Sequence, residues 1–168
     1  WSKNEQIGSK MINARLETVL EKPSFSSLVH NKRCIVIADG YYEWAKPNNQ
    51  PYYIFDEKNK ILPLAGLWTR WKYSNSSTLF TYTIITTTPS NNIRSIHNRM
   101  PLVLNPRVME KWLDYNKFTI SECLSDIQHK KLHLKFYPVS KIVNSTKNNS
   151  IQNIREEKPK DILNLFPN

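Results

Sequence analysis

Five short runs rich in aromatic and β-branched residues, Cys34–Ala38, Tyr41–Trp44, Tyr52–Phe55, Leu64–Trp71 and Leu79–Thr87, constrain the fold of this chain more than anything else in it. Pro47-Asn48-Asn49, Glu57-Lys58-Asn59-Lys60 and Ser74-Asn75-Ser76-Ser77 lie between some of them, and these are combinations that turn a chain. Parallel neighbours need crossovers of a dozen residues or more. The gaps here are mostly shorter, so the pattern predicts an antiparallel meander and not a βαβ succession.

The period changes later in the chain. Pro106 opens a predicted helix with Val108, Met109, Trp112 and Leu113 on one face, and Thr119-Ile120-Ser121-Glu122 matches a capping box ahead of Leu124 and Ile127. A shorter helix is expected where Pro23 precedes Phe25, Leu28 and Val29, and another over Pro89–Ser95, where it would deliver His97. Met100–Leu104 and Leu134–Val139 read as further strands. The expected class is α+β: a twisted, mostly antiparallel sheet closing towards a barrel, with flanking short helices. Residues 1–168 read as a single domain. After about residue 144, Asn, Lys and Ser dominate a peripheral tail in which Ile162, Leu163, Leu165 and Phe166 are the residues able to dock.

Composition narrows the partners. Twenty-four Lys and Arg against 14 Asp and Glu give a net charge of +10, which favours a polyanion through phosphate contacts and counterion release, although a solubilising surface has the same signature. The longest apolar runs are strand-sized and no signal segment is visible, so a cytoplasmic location without membrane association is expected. Cys34 and Cys123 make no disulfide framework and read as reduced, packed thiols. Cys123, His129 and His133 have only a loosely metal-like spacing, so neither a metal nor any other cofactor is expected.

Three polar patches carry candidate chemistry. Glu43 lies between Tyr42 and Trp44 in Asp39-Gly40-Tyr41-Tyr42-Glu43-Trp44, and large neighbours that desolvate a carboxyl favour its protonated form. His97, in Ile96-His97-Asn98-Arg99-Met100-Pro101, is a side chain whose ordinary pKa suits proton exchange near neutrality. Asn13 and Arg15 place an amide and a guanidinium within three residues. On the residues alone, Glu43 is either a general acid or a satisfied structural carboxylate, and His97 either a relay or a turn cap. Asn13 and Arg15 likewise form either a site or a local turn with an Arg15–Glu17 ion pair.

The order NAR-x-ET, EKPSF, RC and ADGYYEW, followed by AGLW, TIITT, IHNRMP and YPVS-x-x-VN, resembles the SOS response-associated peptidase (SRAP) family over roughly residues 1 to 145. The resemblance implies an abasic-site sensor that binds single-stranded DNA as a monomer and traps the lesion covalently. It also implies DNA-damage repair, with peptidase and lyase-like chemistry. In that family the nucleophile is a cysteine exposed as the first residue. This chain begins at Trp1, so the expectation is that residues 1–168 lack the first part of the domain and are inactive alone.

An abasic site is an aldehyde when its sugar is open, and an N-terminal cysteine offers both the amine and the thiol needed to close a thiazolidine on it. An internal thiol such as Cys34 has no free amine. The resemblance implies that Glu43 protonates the sugar oxygen, that His97 relays protons to the Schiff base, and that Asn13 orients the cysteine. The same Glu43 and His97 would release the cysteine by autoproteolysis. Arg15 and Arg99 would clamp phosphates, and Trp1 and Trp44 would stack on bases. Two alternatives stand beside this: a non-catalytic single-strand-binding module, and a peptidase acting on other proteins, which the basic charge does not favour.

Overall fold

The computed structural model describes residues 8, 10–72, 78–127 and 132–158. Trp1, the Ser74–Ser77 turn, His129 and the apolar residues of the tail from Ile162 to Phe166 lie outside the described residues. The elements run β1 (Asn13–Arg15), α1 (Pro23–Val29), β2 (Arg33–Ala38), β3 (Tyr41–Ala45), β4 (Gln50–Asp56), β5 (Leu62–Lys72), β6 (Thr78–Thr87), β7 (Met100–Pro101), α2 (Pro106–Leu113), α3 (Ile120–Ile127) and β8 (Leu134–Pro138).

The α+β class holds, but the strands form two sheets and neither closes into a barrel. One is ordered β1-β6-β5-β2 with β7 against β6, and the other β3-β4-β8. All pairings among the named strands are antiparallel except β1, which runs parallel to β6 with Asn13 opposite Ile84 and Arg15 opposite Thr86. The break falls at Asp39-Gly40, where the chain leaves β2 for the second sheet.

Two cores follow from the two faces of the larger sheet. Ala14, Ala65, Leu67 and Ile85 point towards the helices and pack with Val108, Trp112 and Cys123. Leu62 and Leu64 face the smaller sheet and pack with Ile54 and Leu134. Trp112 has no exposed surface, and its indole N–H donates to the Cys34 carbonyl at 2.9 Å, which fixes α2 across β2. The capping box forms as expected: Thr119 N–H donates to the Glu122 carboxylate at 2.7 Å and Glu122 N–H to Thr119 Oγ1 at 3.3 Å. Leu113 is an exception to the predicted stripe, being half exposed at the last position of α2.

In place of the helix expected over Pro89–Ser95, residues 91–96 form successive turns. The reason is side-chain competition: Asn92 Nδ2 donates to the Leu134 carbonyl and Ser90 N–H approaches Met100 Sδ at 3.3 Å, so the segment is tied to β7 and β8. The expected strand over Met100–Leu104 shortens to two ladder residues because the chain there bridges two neighbours. The β5–β6 ladder ends at Gly66 opposite Ile84, and beyond it Leu102 N–H donates to Ile85 O while Leu102 O accepts from Ala65 N–H. This inserted segment is continuous with the turn that carries His97. After β8, Val139 bridges to Glu156 and Tyr137 Oη donates to Ile154 O at 2.7 Å, so residues near 155 run back along the smaller sheet.

Candidate functional site

Glu43 and His97 meet across 54 positions of sequence, with His97 Nδ1 3.4 Å from Glu43 Oε1. Glu43 is held by β3, paired with Tyr52 of β4, and His97 by the turn closed by hydrogen bonds from Ile96 and His97 N–H to Ile93 O. The Glu43 side chain is 21% exposed and that of His97 37%, so the pair sits at a surface that solutes can reach. Burial pushes the Glu43 carboxyl above its ordinary value, against smaller opposing effects from His97 and from a backbone hydrogen bond at Trp44.

The direction matches the sequence reading, but the cause differs. Side chains alternate along a strand, so Tyr42 and Trp44 point away from the face that carries Glu43. The residues that share its face are Tyr41 on β3 and Tyr52 across the ladder. Trp44 instead lies at the surface, with its indole N–H donating to Asn144 Oδ1 at 2.8 Å.

The His97 ring is approached at Nδ1 from three sides. Arg99 N–H and Arg99 O each lie 3.3 Å away, beside the Glu43 oxygen. A proton on Glu43 can therefore donate to an unprotonated Nδ1, or a protonated Nδ1 can donate to the carboxylate. This is the geometry of a pair that exchanges one proton.

Asn13 and Arg15 are exposed on β1, on either side of buried Ala14, and share one face of the sheet. Arg99 does not present an open fork. Its Nη1 and Nη2 donate to the two oxygens of Glu17 at 2.8 and 3.0 Å, and Nη2 also donates to Thr86 O at 2.5 Å. The Glu17 partner is thus Arg99, 82 residues away, and Arg15 contributes only a small lowering of the Glu17 pKa. Sequence reasoning missed this arrangement. Its only trace is the position of Glu17 two residues after Arg15.

Farther along the face that bears Asn13 and Arg15, the ladder aligns Trp68 with Tyr82 and Arg70 with Phe80. Phe80 is 65% and Tyr82 61% exposed, and Lys32 Nζ lies 4.2 Å over the Trp68 ring. Of the loosely metal-like trio, Cys123 is buried with its sulfur 3.7 Å from Arg33 Nη1, His133 lies at the surface beside Lys58, and His129 is outside the described residues. Among the described residues no group of three or more His, Cys, Asp or Glu is placed to hold a metal, and no helix is long and apolar enough to cross a membrane.

This fold is that of a known class. The family model described as SOS response associated peptidase (SRAP) matches residues 1–146, and the chain belongs to that family. Its relatives include the Bacillus subtilis "abasic site processing protein YoqW", 40% identical over 154 residues that cover 89% of this chain and 69% of that protein. Another is the Xenopus tropicalis "abasic site processing protein HMCES", 36% identical over 173 residues covering 88% of this chain and 51% of the relative. A crystal structure of a Bacteroides thetaiotaomicron protein superimposes with a TM-score of 0.81 at 28% identity, covering 94% of this chain and 72% of that one.

Proposed function

We propose that this chain processes abasic sites in single-stranded DNA, with Glu43 and His97 as the proton-handling pair. The observation that carries the reading is the 3.4 Å approach of His97 Nδ1 to a carboxyl whose pKa burial has raised. A carboxyl whose pKa is raised by burial is a better-populated acid, and its proton can pass to the ring oxygen of a closed abasic sugar, opening it to the aldehyde. His97, beside it and more exposed, then receives and returns protons as an amine condenses with that aldehyde.

The covalent bond in this reading is a thiazolidine formed by an N-terminal cysteine. Both cysteines of residues 1–168 are internal, so that nucleophile would be supplied from outside them. Asn13 orients it by hydrogen bonding, and Arg15, exposed on the same strand face, contacts the DNA backbone. The net charge of +10 and the exposed Phe80 and Tyr82 beside Trp68, Arg70 and Lys32 support a sequence-tolerant single-strand surface. Autoproteolytic release of the cysteine would draw on the same pair.

The test compares residues 1–168 with the same chain carrying a cysteine-first segment ahead of Trp1, each incubated with abasic single-stranded DNA. A heat-stable, abasic-dependent band from the cysteine-bearing protein alone is expected. Salt-dependent binding with no such band from either would favour a non-catalytic binding module.

A further inference from the structure

Phe80 and Tyr82 are separated on β6 by Thr81 alone, so both rings stand on one face of the sheet, about 7 Å apart along the strand. They are 65% and 61% exposed, and neighbouring exposed rings form the kind of apolar patch that marks a binding surface. Trp68, opposite Tyr82, lies beside them with its ring 5.9 Å from that of Phe80 and with Lys32 Nζ 4.2 Å over it. Arg70, opposite Phe80, and Lys72, opposite Thr78, stand exposed on the same face of β5. The strands β1, β2, β5 and β6 contain no Asp or Glu, so no acid of these strands opposes that charge. Register fixes where the rings lie. Asn13 is opposite Ile84, so Tyr82 is about 7 Å and Phe80 about 14 Å along β6 from the row of Asn13.

We propose that Phe80 and Tyr82, propped by Trp68, are a stacking platform for the two unpaired bases next to the lesion on one side, with Arg70 and Lys72 taking the phosphates between and beyond them. Each ring offers a flat face to one base, and the flanking cations follow the backbone, which is how sequence-tolerant single-strand sites are built. In a duplex the base faces are buried against one another, so the platform selects unpaired flanks. Trp44 has no part in it. Its indole is tied to Asn144, and it lies on the face of β3 opposite to Glu43. The inference deepens the reading of abasic-site processing and rests on it for the place of the lesion beside Asn13.

The test is a fluorescence-anisotropy titration of residues 1–168 with an undamaged single strand of mixed sequence and with its duplex, for the wild type, Phe80→Ala, Tyr82→Ala and Tyr82→Phe. Each alanine should weaken single-strand binding by about 5- to 150-fold, the loss of one stacked base, and leave the salt slope unchanged because a ring carries no charge. Tyr82→Phe keeps the ring and should bind as the wild type does. Alanine variants that bind single strands as tightly as the wild type would overturn the proposal, as would equal losses on the duplex or a wild type that does not bind. Should alanine weaken the strand, Phe80→Thr and Tyr82→Thr, which put a β-branched residue there, are read on the same criterion. A face occupied by polypeptide, whether a second copy or a segment ahead of Trp1, would leave the affinities unmoved and lower the melting temperature, which also overturns it. A second arm trims an abasic strand from either end. Losing the two bases on one side of the lesion should lower the affinity of the wild type and not that of the Phe80→Ala/Tyr82→Ala protein, and equal behaviour of the two would overturn the placement. Crosslinking by a cysteine-bearing protein is scored separately: its failure would sink the functional reading and leave the platform to stand or fall on the titration.

Discussion

Gly40 opens the strand that carries Glu43, and replacing it with alanine should be costly for a reason visible only in three dimensions. A Cβ built there would lie 2.4 to 2.5 Å from Cζ, Cε2 and Oη of Tyr53. Carbon contacts settle near 3.5–4.0 Å, so the ring or the strand must yield by about 1 Å. The ring has little room: Tyr53 is 6% exposed, stacks on Phe55 with centroids 5.9 Å apart, and touches Tyr42 and Tyr137 at 5.6 and 5.8 Å. Its hydroxyl also bonds to Asp39, the residue before Gly40. Overpacking of this kind costs about 1–3 kcal/mol. Urea titration of Gly40→Ala against wild type measures it, and Tyr53→Leu in both backgrounds closes a cycle in which the double mutant should lose at least about 0.5 kcal/mol less than the sum of the singles. If β3 yields instead of the ring, Glu43 moves with it, and a 1 Å error at a reacting group is worth about 10²-fold in rate. A Gly40→Ala protein within about 0.5 kcal/mol of wild type, with additive singles, would refute the reasoning.

Other expectations follow from the same geometry. Thr119→Ala removes one half of the capping box and should cost about 1 kcal/mol in denaturant unfolding. Glu43 has a folded-state pKa above 4.5, so the native protein loses stability as pH rises from 4.5 through the raised value; Glu43→Gln should therefore gain on wild type over that window when melting is followed against pH. Arg15→Ala should weaken single-stranded DNA binding and reduce the slope of log affinity against log salt by about 0.7.

The strands were legible because aromatic and β-branched runs broken by Asn, Pro and Lys clusters leave few other choices. Register was not legible, and register decides the site. Tyr42 and Trp44 are nearest to Glu43 in sequence, yet the two-residue period of a strand turns them away, and its burial arises on the face it shares with Tyr41 and Tyr52. Glu17 and Arg99 are 82 positions apart, and nothing local distinguishes that pairing from the shorter-range one with Arg15. The three-residue parallel strand β1 was too short to show a period. The turns at 91–96 replace the helix that the local pattern predicts because the deciding contact, Asn92 to the Leu134 carbonyl, spans 42 residues. Glu43 and His97, each a candidate on the sequence alone, are brought within 3.4 Å of each other by the fold.

The central claim is that Glu43 supplies the proton that opens the sugar. It is tested most directly with cysteine-bearing wild-type and Glu43→Gln proteins on two substrates, a ring-closed abasic site and an analogue locked as the open aldehyde. The account predicts that glutamine, which keeps the shape and loses the proton, slows crosslinking about 10²–10⁴-fold on the closed sugar and far less on the open one. Equal losses on both substrates would contradict it and leave Glu43 an orienting carboxylate beside His97.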